Sequence, residues 1–164
     1  MYGAELLRSA VNLYFRPAAI DRDIDALRNA GYRILTADTS AWVDVAHMHD
    51  GLAQMFDFPR HYGHNWSALN DCLSDMRALD QDLPAGTLRV VLALRRFDTF
   101  ASRYPEAAHH LLDIYALNQR DALIVGDHLI CLVQSDDPGL QLAPVGATEP
   151  QWNRDEWLDS KRGL

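Results

Sequence analysis

Two short, almost uninterrupted apolar runs constrain this chain most: Leu88–Leu94 (LRVVLAL) and Leu129–Val133 (LICLV). A strand with one wet face alternates polar and apolar residues. A strand covered on both faces reads as a near-continuous apolar run, the pattern of parallel sheets clothed by helices. The segment between the runs is helix-like. Phe97–Tyr104 reads as a short helix, and Pro105 with Glu106 opens a longer one to about Ala122, with Leu111, Leu112, Tyr115 and Asn118 near one face; proline suits a first helical turn.

The first part of the chain repeats the arrangement. Val11–Phe15 (VNLYF) reads as a strand, about Asp21 to Ala30 as a helix with Ile20, Ile24 and Leu27 at helical spacing, and Tyr32–Ala37 as a second strand, with Gly31 ending the helix. Strand, helix and strand within about 27 residues is the minimum for a parallel crossover. Thr39 or Ser40 is expected to cap a further helix running to about Phe56, with Val45, Met48, Leu52 and Met55 along one side and Pro59 after it. A polar loop, DQDLPAGT, precedes Leu88. Beyond Leu129–Val133, the turn Asp136-Asp137-Pro138-Gly139 is expected to return Leu140–Val145 as an antiparallel edge strand, and Trp152 and Trp157 to dock the tail. The expected architecture is α/β: a small, mostly parallel sheet packed by helices, extended by an N-terminal strand and helix and by a C-terminal hairpin. With 48% hydrophobic residues over 164 positions, and neither an internal repeat nor a Ser/Gly/Pro linker, residues 1–164 read as a single domain.

The stretch Pro59–Met76, PRHYGHNWSALNDCLSDM, carries the functional signal. Gly63 stands where the chain must turn sharply, a place that favours glycine's conformational freedom. Asn65 reads as the N-cap of the next helix, its side-chain oxygen free to accept from the amide of Ser67 or Ala68. On a helical wheel Trp66, Leu69, Cys72, Leu73 and Met76 share one arc, and Ser67, Asn70, Asp71, Ser74 and Asp75 the other. One side packs; the other offers a small acidic row. Periodicity alone leaves open whether that row meets a partner or is only a wet helix face.

The run Tyr62, Gly63, Asn65, Ala68, Leu69, Asp71, Cys72, Leu73 resembles the YGxNxxALxDCL signature of the barstar family, small intracellular proteins that bind and block ribonucleases. The resemblance extends more loosely over about Tyr32 to Gln134. It implies a barstar-like core there, a protein partner that is a basic ribonuclease, and a contact surface in which Asp71 takes the place of substrate phosphate. A site of Arg, Lys and His built to hold phosphate accepts a carboxylate through charge-assisted, often bidentate hydrogen bonds. The contact surface expected on this basis is Asp71 first, then Asn70, Ser74 and Asp75 on the helix, and Arg60, His61 and His64 in the loop before it. Tyr62, Gly63, Asn65, Leu69, Cys72 and Leu73 are assigned to fold and packing. The family's best-known form has aromatic residues where this chain has His61 and Asn70, and a tryptophan where it has Met76. The charge mimic is kept while the stacking anchors are not, which fits a ribonuclease of somewhat different shape as well as it fits the best-known target, or alternatively a non-inhibitory interaction module on the same scaffold.

Charge and composition bound the remaining classes. A net charge of −8 and a pI near 5.2 lack the basic stripe of a nucleic-acid-binding protein and suit a basic protein partner. Cys72 and Cys131 are the two cysteines. Both read as buried and reduced, without a CxxC or metal motif. No leader pattern or run of 18 or more apolar residues occurs, so no membrane association is expected and a cytoplasmic protein is. Among seven histidines, His47 and His49 would lie about 200° apart on a helix, and His61 with His64 would need ligands from elsewhere, so no metal site is expected. His109 and His110 are expected to face solvent, with Glu106 and Asp113 at helical spacing as partners. Without GxSxG, P-loop or GxGxxG, neither enzymatic activity nor a cofactor is expected.

Overall fold

The computed structural model describes residues 3–76, 84 and 86–164. In chain order it contains β1 (Asn12–Tyr14), α1 (Pro17–Asn29), β2 (Arg33–Asp38), α2 (Val45–Phe56), α3 (Trp66–Ser74), β3 (Arg89–Arg95), α4 (Phe97–Arg103), α5 (Pro105–Ile124), β4 (His128–Gln134), β5 (Gln151–Trp152) and α6 (Asp159–Arg162). The strands form one sheet in the order β2-β3-β4-β1-β5, and every pairing is parallel.

The two apolar runs are β3 and β4, the sheet's interior, buried from Val90 to Leu94 and from Leu129 to Gln134. Their side chains alternate between two cores, as the two-residue period of a strand requires. Val90, Leu92, Leu94, Leu129, Cys131 and Val133 face α2 to α5, while Val91, Ala93, Ile130 and Leu132 face α1. Strand order explains the division. The crossover from β1 to β2 runs across the sheet in the opposite direction to the steps β2 to β3 to β4, so right-handed connections put α1 on one face and the other helices on the opposite one.

Local chemistry sets the helix ends. Pro17 occupies the first turn of α1, which therefore starts earlier than the periodic apolar residues suggest, and Gly31 ends it at φ +87°, with the amide of Tyr32 donating to the Leu27 carbonyl at 3.0 Å. The α2 cap differs from expectation. Thr39–Ala41 form a separate 3-10 turn capped by Asp38, Trp42 is buried, and the cap of α2 is Asp44, whose carboxylate accepts from the His47 amide at 2.8 Å. The polar loop DQDLPAGT lies largely outside the described residues.

The C-terminal hairpin is not formed. β4 is paired on one edge by β3 and on the other by β1, so neither edge is open to a returning strand. Leu140 and Leu142 instead pack, half-buried, on the core beside α4 and α5. The edge is extended by β5, parallel to β1, with Gln151 N donating to Val11 O at 3.0 Å and Asn153 N to Leu13 O at 2.9 Å. Nor do both tryptophans dock the tail. Trp152 is half-buried with the Arg162 guanidinium 4.2 Å from its ring centroid, whereas Trp157 is exposed. The tail is fixed by polar groups: the fully buried Glu156 carboxylate accepts from the amides of Phe15 and Arg16 at 2.8 and 3.0 Å, and Asn153 Nδ2 donates to it at 2.6 Å.

Candidate functional site

The segment from α2 through the loop into α3 is fastened at three places. Asn65, in extended conformation at φ −139°, accepts from the Ala68 amide at 2.9 Å and caps α3 as its sequence predicts. The left-handed residue of the turn, however, is His64 at φ +50°, not Gly63. Gly63 has a different reason to lack a side chain: a Cβ there would stand 3.0 Å from Asn65 Nδ2 and crowd the cap. His64 is held in its unusual conformation from both sides, Nδ1 lying 2.9 Å from the Tyr62 carbonyl and Nε2 2.9 Å from the Asp50 carboxylate on α2.

Beneath the loop runs a chain of rings. Phe58, Tyr62, His49, Trp66 and His110 lie in successive contact, with centroids 4.9 to 5.8 Å apart. The Tyr62 hydroxyl and His49 Nδ1 are 2.5 Å apart. Burial pushes the phenol up to about 12 and His49 below its ordinary value, so the phenol donates and the neutral imidazole accepts. His110 therefore meets Trp66, while Asp113 accepts from the Gly146 amide at 2.9 Å; the expected pairing with the neighbouring histidines is not formed. His47 pairs with Asp44 at 2.7 Å. No group of three or more metal-ligating side chains occurs among the described residues.

The expected contact residues divide. Asp71 and Asp75 are exposed, and neither carboxylate has a hydrogen-bond or ion-pair partner among the described residues. Arg60 and His61 are likewise exposed in the loop, whereas His64 is engaged with Asp50. Asn70 and Ser74 are not simply outward-facing: Asn118 of α5 donates to Asn70 Oδ1 at 3.0 Å, and its own Oδ1 lies 2.8 Å from Ser74 Oγ. Cys72 is half-buried between the two aspartates. Burial first, then Asp75 and Asp71, raises its thiol. Met76 is half-buried against the core, as its helical phase predicts.

Sequence reasoning did not find Asp50, which ties α2 to the loop, or the role of Asn118. The buried amide among Leu111, Leu112 and Tyr115 was the available signal for the second; no sequence pattern marks the first.

A family model described as Barstar (barnase inhibitor) matches residues 32–134, more than half of the chain. The chain belongs to the barstar family. No curated protein sequence matches the chain closely. The barstar match covers β2 through β4 and both helices of the candidate site; outside it lie β1 and β5, which extend the sheet beyond β4, α1, which covers the sheet face opposite α2 to α5, and α6. No described helix is long and apolar enough to cross a membrane.

Proposed function

We propose that the protein is a non-enzymatic inhibitor of a basic ribonuclease, with α3 and the preceding loop entering the nuclease active site and Asp71 standing in for a substrate phosphate. The observation that carries this reading is the placement of Asp71 and Asp75. Both carboxylates sit in the last turn and C-cap of α3, where the helix dipole disfavours negative charge, and neither has a partner among the described residues. A local electrostatic rule broken with no partner among the described residues is a departure of the kind that functional positions carry. The capped helix and the pinned His64 loop hold the carboxylates on rigid supports, which lowers the ordering cost of association. Arg60 and His61 complete the surface. A cytoplasmic setting belongs to the same proposal, with Cys72 and Cys131 as free thiols.

One observation favours a second reading, a non-inhibitory interaction module. Asn70 spends its side-chain oxygen on Asn118, so a position that bears an aromatic anchor in the family's best-known form offers little to a nuclease. Inhibition of a panel of small basic ribonucleases by wild type and Asp71→Asn, at low and physiological salt, separates the two. The inhibitor reading expects inhibition that Asp71→Asn weakens by about 2 kcal/mol, the scale of a hydrogen bond to a charged group, with a shallower salt dependence. Inhibition untouched by Asp71→Asn would overturn the phosphate mimic, and absence of inhibition across the panel would favour the interaction module.

A further inference from the structure

We infer that Asn118 is a positioning residue that sets the rotation of α3 and so aims Asp71 and Asp75 at the partner. The inference rests on the inhibitor reading above. α3 packs through Leu69 and Leu73, fully buried, and through Trp66, Ala68, Cys72 and, just beyond its end, Met76, partly buried beside them; such apolar contacts are non-directional, whereas hydrogen bonds fix a helix's rotation by their geometry. The side chain of Asn118, 5% exposed between α3 and α5, supplies that directional constraint. Its Nδ2 donates to Asn70 Oδ1 at 3.0 Å and to the Ile114 carbonyl of its own helix at 2.9 Å, and its Oδ1 lies 2.8 Å from Ser74 Oγ.

Asn70 and Ser74 are four residues apart and form one ridge of α3. Asp71 and Asp75 form the next ridge, about 100° further round the helix. Fixing the first ridge to α5 fixes the direction of the second. A rotation that carried the aspartates off their line would break both contacts to Asn118 together, leaving its buried Oδ1 without a donor and its Nδ2 with the Ile114 carbonyl alone. Asn70 and Ser74 are in this account the inner edge of the interface, and their contribution to binding acts through Asp71 and Asp75.

The test compares wild type, Asn118→Leu and Asn118→Asp with Asp71→Asn beside them. Leucine keeps the volume and burial of the site and removes its polar bonds. Aspartate keeps an oxygen for Ser74, and Asn70 restores the second bond by turning its amide to donate, while the oxygen that replaces Nδ2 faces the Ile114 carbonyl and a buried carboxylate loses solvation, so the restoration is partial. Residual dipolar couplings report the orientation of α3 against α5 without any partner. Inhibition of a ribonuclease from the panel reports the consequence. Asn118→Leu is expected to reorient or loosen α3 while the β3 and β4 amides keep their protection, and to weaken inhibition about tenfold, the equivalent of one net hydrogen bond, with partial recovery in Asn118→Asp. Unchanged couplings for α3 in Asn118→Leu would overturn the clamp whatever the partner. Reoriented couplings with full inhibition, in a system where Asp71→Asn abolishes it, would overturn the positioning role. Inhibition indifferent to Asp71→Asn would instead remove the inhibitor reading, and the positioning role with it, leaving the couplings to decide the clamp alone.

Discussion

The hydroxyl of Tyr62 meets Nδ1 of His49 across 2.5 Å, and the same arrangement recurs where the hydroxyl of Tyr32 lies 2.7 Å from Nδ1 of His128. In both pairs burial raises the phenol and lowers the imidazole, so each phenol donates to a neutral ring. The first pair joins α2 to the loop before α3. The second joins the start of β2 to the start of β4 across β3. A buried tyrosine usually finds a partner for its hydroxyl; here the partner is each time a group whose charge changes near neutral pH.

Tyr62→Phe removes the donor and leaves His49 Nδ1 buried without one. The expected cost is about 1–3 kcal/mol, read as a lower urea midpoint with an unchanged slope. The loop rings persist in this variant, because Phe58 and Trp66 still contact their neighbours. A loss well below this range would mean that water reaches Nδ1 and that the pair contributes little to holding the loop.

The pH dependence follows from the direction of the same shifts. His49 and His128 bind a proton less readily folded than unfolded, so the unfolded chain takes up protons first. Their contribution is fully present above about 6.5, the ordinary histidine value, and is lost as pH falls below it. For Tyr62, with a folded value of about 12 against an ordinary 10, the contribution is fully present below 10 and is lost as pH rises towards 12. The Cys131 thiol, held at about 12 by burial against an ordinary 9, sets the alkaline limit first, so stability is expected to be flat from about pH 7 to 8, with a decline on the acid side that His49→Asn makes shallower. Urea midpoints at closely spaced pH values measure this directly. An acid limb identical in His49→Asn would assign the decline to His128 and the carboxylates.

Asp71→Asn and Asp75→Asn are each expected to stabilise the free protein while weakening its association. The substitution removes a negative charge from the C-terminal end of α3, a gain of about 0.3–1 kcal/mol for an exposed site at low ionic strength. Both also remove an anion that raises the Cys72 thiol, so alkylation of Cys72 by iodoacetamide should be faster in either variant, with Cys131 silent in all because burial holds its thiol at about 12. Thermal melts and mass-spectrometric alkylation rates give the two readouts. A fall in stability in both variants would mean that these carboxylates have structural partners.

What the sequence made legible was local or strongly patterned. The continuity of LRVVLAL and LICLV placed β3 and β4 in the sheet's interior, and Asn65 announced the start of α3 because its capping bond spans three residues. The hairpin expected from Leu140–Val145 failed for a non-local reason: nothing in that stretch records that β1 occupies the far edge of β4. The α2 cap was misread because Thr39, Ser40 and Asp44 are all competent caps, and the choice falls on Asp44 only once Trp42 is buried between them. The polar arc of α3 was legible, but that Asn70 and Ser74 within it turn towards α5 depends on Asn118, forty-eight residues from Asn70.

Glu156 gives the sharpest test of the added edge. Its carboxylate is fully buried and accepts from Phe15 N, Arg16 N and Asn153 Nδ2, while Asn153 in turn donates to the Leu13 carbonyl at 3.1 Å. Removing it leaves backbone amides at the end of β1 without acceptors and frees the residue that continues β5. Glu156→Ala is expected to cost about 2–4 kcal/mol, from two or more unsatisfied donors. Glu156→Gln should cost less, because one oxygen remains although its new NH2 faces donors. The damage should be confined to one side of the sheet. Amide exchange at Gln151 and Asn153, which donate to Val11 and Leu13, should accelerate, while Val90–Leu94 at the interior exchange only on global unfolding. Uniform acceleration across β3 and β5 would instead make the tail an inseparable part of one cooperative unit, and the barstar core would then depend on the added edge for its own stability.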